Sequence, residues 1–258
     1  RHTRFCLSRG LGDVYKRQPN ASTIWTLKSG RVLTENSPIT LSWKNDKGII
    51  FEKTISIDEN YMFEISQSVI NGSSKNIKLY PYGNLTRNGQ PDTIGFYILH
   101  EGVVGMHDGE LIETNYGDIP DLSREEVTRE IQQNGWIGFT DKYWMSTLIP
   151  RAGQTFKMDQ RYYSSSDNFE VWMRLPPITV NKNERASVKT NLFVGAKEVN
   201  TIKFYQNSLD IENFVDSVDW GWFFYLTKPI FFLLDWFNSF THNTVSYTHL
   251  TLPTMRIV

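Results

Sequence analysis

A single cysteine, Cys6, stands among the 258 residues. One thiol can neither close a disulfide framework nor supply a cysteine-ligated metal site. No phosphate-cradling glycine loop and no nucleophile elbow appear. Low-complexity tracts, internal repeats and Gly/Ser-rich linkers are absent as well, so one domain with an appendage is the simplest organisation. Charge of one sign is scarce: 27 Lys+Arg against 28 Asp+Glu leave a net charge of −1.

The two ends distort that balance. The string DVYKRQ (Asp13–Gln18) can be read as GAT GTG TAT AAG AGA CAG. Its reverse complement, with two bases dropped, is GTC TCT TAT ACA CAT C. That translates as Val-Ser-Tyr-Thr-His and begins a leucine codon, and VSYTHL stands at Val245–Leu250. Unrelated protein segments seldom translate opposite strands of one short DNA. Residues 1–18 and 244–258 are therefore expected to be translated sequencing adapter and are set aside, as a fusion scar would be. The other reading is a genuine basic N-terminal arm. The set-aside ends hold Arg1, Arg4, Arg9, Lys16, Arg17 and Arg256 against Asp13 alone, which leaves 21 basic and 27 acidic residues, a net charge of −6. A mildly acidic domain argues against a nucleic-acid partner. Cys6 goes with the tail, and no cofactor or metal is expected.

About 225 residues remain, enough for one large β domain. Alternation with a period of two dominates. Ile39, Leu41 and Trp43 share one face of a strand, as do Ile49, Phe51, Ile55 and Ile57. Tyr61, Phe63, Ile65 and Val69 line a third, with Glu64 and Ser66 pointing away. This pattern predicts an antiparallel sheet with one buried face. Asn45–Gly48 and Asn71–Ser74 supply turn chemistry between the runs. Further strands are predicted at Lys75–Leu79, Gly95–Leu99, Glu110–Glu113, Trp144–Ile149, Gln160–Ser164, Phe169–Met173 and Ser187–Val194. The fold class is mainly β, a large antiparallel sandwich. Two helices interrupt it: an amphipathic one at Lys197–Leu209, and one at Ser123–Gln133 opened by a Ser123/Glu126 capping box.

Trp220–Phe240 has about the apolar length of a membrane span. Lys228 and Asp235, however, fall on one helical face, while Trp222, Phe223, Ile230, Leu233, Trp236 and Phe237 spread over the rest. A broad aromatic surface with a narrow charged stripe suits the headgroup boundary. Pro229 fits better near a bend or a first turn than in mid-span. On periodicity alone, a buried helix capping the sandwich fits equally well.

Five strings resemble, in family order, the YidC-type membrane protein insertases, in particular those of alphaproteobacteria. They are Ile77–Gly89, His100–Leu111, Gly135–Pro150, Asn191–Val199 and Val218–Phe240, and the similarity runs from about Ile24 to Phe240. The resemblance implies a β super-sandwich at 19–196, a connecting helix and loop at 197–219, and an amphipathic helix at 220–243 on the outer face of the bacterial inner membrane. Both the first transmembrane helix and the insertase core lie outside this chain. The family function is non-enzymatic: insertion, folding and assembly of inner-membrane proteins, alone or with the Sec translocon. The implied partners are the translocon and its accessory subunits, nascent inner-membrane proteins and anionic lipid headgroups, with the domain monomeric. Membrane-interface candidates are Trp220, Trp222, Phe223, Lys228, Ile230, Leu233, Trp236 and Phe237. Candidates for coupling to partner or core are Gly195, Lys197, Glu198, Phe204 and Tyr205.

Two other readings stay open. Large sandwiches also resemble aldose-epimerase folds, where a His/Glu set performs acid–base chemistry; here the residues would be His100, Glu101 and His107 with Asp141. His100–Gly102 followed by Gly105 and Gly109 reads more simply as a hairpin. Alternatively a cleft lined by Tyr97, Tyr143 and Trp144 would hold a glycan or an extended peptide.

Overall fold

The computed structural model describes residues 2–7, 19, 23–91, 100–218 and 224–241. In chain order the first strands are β1 (His2–Leu7), β2 (Thr26–Ser29), β3 (Ile39–Lys44), β4 (Ile49–Ile57), β5 (Met62–Asn71), β6 (Ile77–Leu79), β7 (Pro81–Asn88), β8 (Gly102–His107) and β9 (Glu110–Asn115). A helical turn, α1 (Arg124–Val127), precedes β10 (Thr128–Ile131), β11 (Gly135–Thr140), β12 (Trp144–Ile149), β13 (Phe156–Tyr163), β14 (Asn168–Arg174), β15 (Ile178–Val180) and β16 (Arg185–Ala196). Two helices follow, α2 (Val199–Ser208) and α3 (Phe224–Thr241). The sandwich and the α3 segment form separate compact units.

The expected mainly β architecture is present. A nine-stranded sheet runs β2-β3-β4-β5-β16-β12-β11-β8-β9, a five-stranded sheet runs β1-β7-β14-β13-β10, and β15 pairs with β6. Ile65, Val103, Ile137, Leu148 and Leu192 of the large sheet meet Leu85, Met158, Phe169, Val171 and Met173 of the smaller one in a continuous apolar core. A second cluster joins Ile49, Phe51 and Val69 to Leu79 and Val180 of the β6–β15 ladder. Each fully buried side chain of this kind stabilises by about 1.5–3 kcal/mol relative to exposure.

The turns behave as their chemistry requires. The Asn45 carboxamide oxygen accepts from the Lys47 and Ile49 amides at 3.0 and 2.9 Å. Asn71 is fully buried and donates to the carbonyls of Lys75 at 2.8 Å and Val180 at 3.0 Å, which ties the β5 end to the small ladder.

Several expectations are corrected. The Ser123/Glu126 capping box forms, with amide-to-side-chain contacts of 2.9 and 3.4 Å. The helix nevertheless stops at Val127, and Thr128–Ile131 pairs with β13. Ile131 is buried to 0% exposure there, an anchor that a helix with only Val127 and Ile131 as apolar residues could not match. Tyr61 is not a strand residue: it sits at φ 69° in the β4–β5 turn. Strands β2, β7, β11 and β15 were not expected, the hairpin read across His100–Gly109 forms as β8–β9, and β13 begins at Phe156 rather than Gln160. The strand expected at Gly95–Leu99 lies outside the described residues. Within the set-aside N-terminal stretch, His2–Leu7 is placed as an edge strand beside β7.

The β8–β9 hairpin carries one charge with a structural role. Asp108, at φ 45°, accepts from the amides of Gln132, Gln133 and Asn134 at 2.9–3.2 Å. Burial alone would raise its pKa, but the three amides and His107 hold it below the ordinary carboxylate value. A depressed pKa contributes stability above the unfolded value, about 3.9, and that stability is lost as pH falls through the folded one. Asp108→Asn is therefore expected to lower Tm at pH 7, and the gap to wild type should close below about pH 4. A gap independent of pH would show that the contacts matter only as neutral hydrogen bonds.

Candidate functional site

The last strand of the large sheet, β16, delivers the chain to α2, and the residues expected to matter for coupling cluster at that junction. Trp144 of β12 lies opposite Ala196, and Met62 of β5 opposite Phe193, so β12 and β5 flank the end of β16. Gly195 is buried between the Phe193 ring and Tyr61: a Cβ there would stand 3.0 Å from Phe193 and 3.4 Å from Tyr61. Lys197 donates its amide to the Tyr143 carbonyl at 2.9 Å and its ammonium to the Thr140 hydroxyl at 2.9 Å. Glu198 occupies the N-cap of α2 without a side-chain capping bond. Its carboxylate accepts instead from the Thr201 hydroxyl at 3.4 Å.

α2 lays Ile202 and Tyr205 on the large sheet and turns Phe204 outward, 55% exposed. The buried Tyr205 hydroxyl donates to both carboxylate oxygens of Asp58 at 2.7 and 2.8 Å. Burial, followed by the Asp58 hydrogen bond and charge, raises the phenol pKa far above its ordinary value. Asp58 also accepts from the Asn60 and Met62 amides at 3.0 and 2.9 Å. One carboxylate thus shapes the β4–β5 turn and holds the helix against it. After α2 the chain reaches Glu212, whose carbonyl accepts from Trp136 Nε1 at 2.9 Å. A 3-10 turn, Phe214–Ser217, follows. Phe214 packs edge-on against Trp136 and Phe193 at 5.4 and 5.9 Å, and Gln206 of α2 accepts from the Val215 amide at 2.9 Å. Sequence reasoning singled out Gly195, Lys197, Glu198, Phe204 and Tyr205, and the structure places all five at this junction. It missed Asp58, Trp136 and Phe214, which are remote in sequence and carry no local signal.

α3 runs unbroken through Pro229, which lies beyond the first turn where the sequence reading preferred it. Tyr225, Leu226, Ile230, Phe231, Leu233 and Trp236 are exposed on it, at 38–67%, and Lys228 is half-buried. No helix among the described residues is long and apolar enough to cross a membrane. Trp220, Trp222 and Phe223 lie outside the described residues, as does the side chain of Phe237.

The histidine and cleft readings fare differently. His100 precedes β8 and bonds the Val103 carbonyl at 2.9 Å, whereas His107 ends that strand beside Glu110 at 3.8 Å. They stand seven positions apart along the chain, most of it extended in β8, so roughly 20 Å separates them at about 3.3 Å per residue. Asp141 faces neither, since its carboxylate is bound to Arg87 at 2.7 and 2.9 Å. Among the described residues, these histidines and Asp141 form no acid–base set. Tyr143 and Trp144 are 63% and 56% exposed on a rim rather than in a cleft, and Tyr97 lies outside the described residues. A cleft of about 170 Å³ exists elsewhere, on the outer face of the five-stranded sheet. Its walls are Tyr82 stacked on Trp172 at 5.4 Å, Tyr163, Lys157, Arg161, Arg174 and Asp159. Lys157 is paired with Glu130 at 3.4 Å and Arg161 with Asp159 at 3.4 Å, so the cleft carries mixed charge.

A large sandwich whose last strand feeds a clamped helix and then an aromatic helix defines a β-rich module with a helical appendage. Comparison with known proteins gives the family. The profile of the YidC periplasmic domain matches residues 3–233, and the chain belongs to that family. It is 47% identical over 232 residues to the membrane protein insertase YidC of Dinoroseobacter shibae, covering 87% of this chain and 38% of that protein. The Ruegeria sp. relative is 47% identical over 238 residues, covering 89% and 38%, and that of Paracoccus denitrificans is 42% identical over 231, covering 87% and 36%. The chain therefore spans less than half the length of these relatives. As the resemblance implied, the domain lies on the periplasmic side of the inner membrane. Among solved structures, an α-galactosidase from Lactobacillus brevis aligns with a TM-score of 0.48 at 12% identity, over 80% of this chain and 28% of that one. A putative aldose 1-epimerase from Klebsiella pneumoniae aligns at 0.43 with 7% identity, over 69% and 55%.

Proposed function

We propose that this domain is the non-enzymatic periplasmic portion of a membrane protein insertase. The parent inserts, folds and helps assemble inner-membrane proteins, alone or beside the Sec translocon. The domain, itself a monomer, contacts the translocon's accessory subunits, and α3 rests on anionic lipid. One observation carries the reading: the exit from the sandwich is fastened, through Tyr205–Asp58 and through Trp136, Phe193 and Phe214, before the chain enters an aromatic helix. A module that only bound a soluble ligand would gain nothing from fixing that exit.

The test is vesicle co-sedimentation of this chain beside its Leu233→Glu/Trp236→Glu variant. Two apolar side chains exchanged for carboxylates are expected to weaken binding to phosphatidylglycerol-containing vesicles on the order of tenfold or more. In a chimera, residues 23–241 replacing the matching part of the Dinoroseobacter shibae relative, the same pair should reduce insertion of an inner-membrane substrate scored by protease protection. Equal sedimentation of both forms would sink the lipid role of α3 and favour a soluble glycan- or peptide-binding module.

We also propose that residues 1–18 and 244–258 are adapter-derived, on the complementary DNA readings of the two ends. Sequencing the source genome across both junctions is expected to lack those codons; their presence overturns this.

A further inference from the structure

Every exposed aromatic side chain among the described residues of the sandwich lies at one end of the large sheet. They are Tyr61 at 59%, Tyr143 at 63%, Trp144 at 56% and Phe204 at 55%. The geometry that gathers them is explicit. Tyr61 accepts from the Val194 amide, Trp144 faces Ala196 and Tyr143 accepts from Lys197, so three of them surround the last residues of β16. Tyr61 and Trp144 stand on either side of that strand, about 10 Å apart across two strand spacings. Phe204 joins them because its neighbour Tyr205, 5.4 Å away ring to ring, is held by Asp58 in the same turn as Tyr61.

We infer that this rim is a second lipid contact, seated on the headgroup layer of the membrane beside which the domain lies. The inference rests on the insertase reading and adds a surface to it. Three observations select lipid over a protein partner. The exposed set is Tyr, Tyr, Trp and Phe, three of which have an apolar body and a polar tip, the composition that settles where one side is wet and the other apolar. The rings project from two turns, a strand start and a helix rather than lining a groove that could receive a side chain or a strand. Lys142 lies over the Tyr143 ring at 4.9 Å, and Lys197 and Lys203 stand nearby; of the four nearby acids, Asp58 is bound by Tyr205 and Asp141 by Arg87, and Glu59 and Glu198 are the others.

The experiment places one environment-sensitive fluorophore at a time on the full chain carrying Cys6→Ser. Asn60→Cys reports the rim, Thr227→Cys reports α3, and Lys182→Cys reports the opposite end of β16. All three positions are exposed. The probe is vesicles of phosphatidylglycerol and phosphatidylcholine. A blue shift at positions 60 and 227 with none at 182 is expected. Tyr61→Ser/Tyr143→Ser/Trp144→Ser should abolish the shift at 60 and spare that at 227; its substituted side chains are exposed, so Tm should hold. A shift at 227 alone overturns the rim contact, leaves the insertase reading intact, and makes the rim available to a protein partner. Silence at both positions overturns both readings. A shift at 60 that survives the triple variant also defeats the proposal, because the aromatic side chains would then not be its cause.

Discussion

Asp141→Ala is expected to cost the domain about 3–5 kcal/mol, among the largest effects of any single polar substitution here. Arg87 rises from β7 in the five-stranded sheet and reaches Asp141 in the β11–β12 turn of the nine-stranded one. One guanidinium nitrogen contacts both carboxylate oxygens, at 2.7 and 2.9 Å, and the Tyr116 ring lies 5.4 Å from the guanidinium carbon. Both side chains are over four-fifths buried, at 16% and 18% exposure. A surface pair would contribute at most about 1 kcal/mol. Here removing one partner leaves an uncompensated charge between two sheets. Arg87→Met/Asp141→Leu, which withdraws both charges, should recover most of the loss. Urea midpoints at constant m-value read the cycle. A loss below about 1 kcal/mol in Asp141→Ala would mean that water reaches the pair.

The same pair shows what the sequence revealed and what it hid. Asp141-Lys142-Tyr143-Trp144 reads as an ion pair and an aromatic anchor at a strand start, and β12 does begin at Trp144. The partner, Arg87, lies 54 residues away and gives no local sign. Alternating runs such as Ile49–Ile57 were legible because Glu52, Thr54 and Ser56 alternate with Phe51, Ile55 and Ile57. Strand β11 was not, because Gly135 and Gly138 add no side chain to the alternation by which a strand is recognised. The structure assigns them a different purpose. A Cβ on Gly138 would come within 2.0 Å of the Ser146 carbonyl, and one on Gly135 within 2.4 Å of that of Met106. These glycines permit close approach of neighbouring backbones in mid-sheet, a reason that depends on the partner strand. The helix expected at Ser123–Gln133 failed from the opposite cause: a correct local cap was overridden by a better place for Ile131 in the core. The rim was half legible. Tyr143, Trp144 and Phe204 were singled out for different reasons, and pairings remote in sequence, Val194 to Tyr61 and Tyr205 to Asp58, bring all four together.

Trp136→Ala should cost a comparable 3–5 kcal/mol, and its consequence for function should exceed that of the Asp141 substitution. Trp136 has 0% exposure, and its indole both packs edge-on with Phe214 and donates to the Glu212 carbonyl. Phe214 in turn rests on Phe193, which meets Tyr205 of α2 at 5.9 Å. Truncating Trp136 therefore opens a cavity beneath the whole exit segment and leaves a carbonyl without its donor. Trp136→Phe keeps a ring and loses the hydrogen bond, so part of the penalty, about 1 kcal/mol, should remain from that bond alone. Hydrogen exchange separates a local effect from a global one. Amides of Val199–Ser208 and Phe214–Ser217 should lose protection in Trp136→Ala before those of β5 and β16 do. In the chimera described above, insertion should fall under conditions where the sandwich is still folded. If all amides lose protection together, the exit segment is one cooperative unit with the sheets, and Trp136 serves stability without a separate role in holding the chain as it leaves.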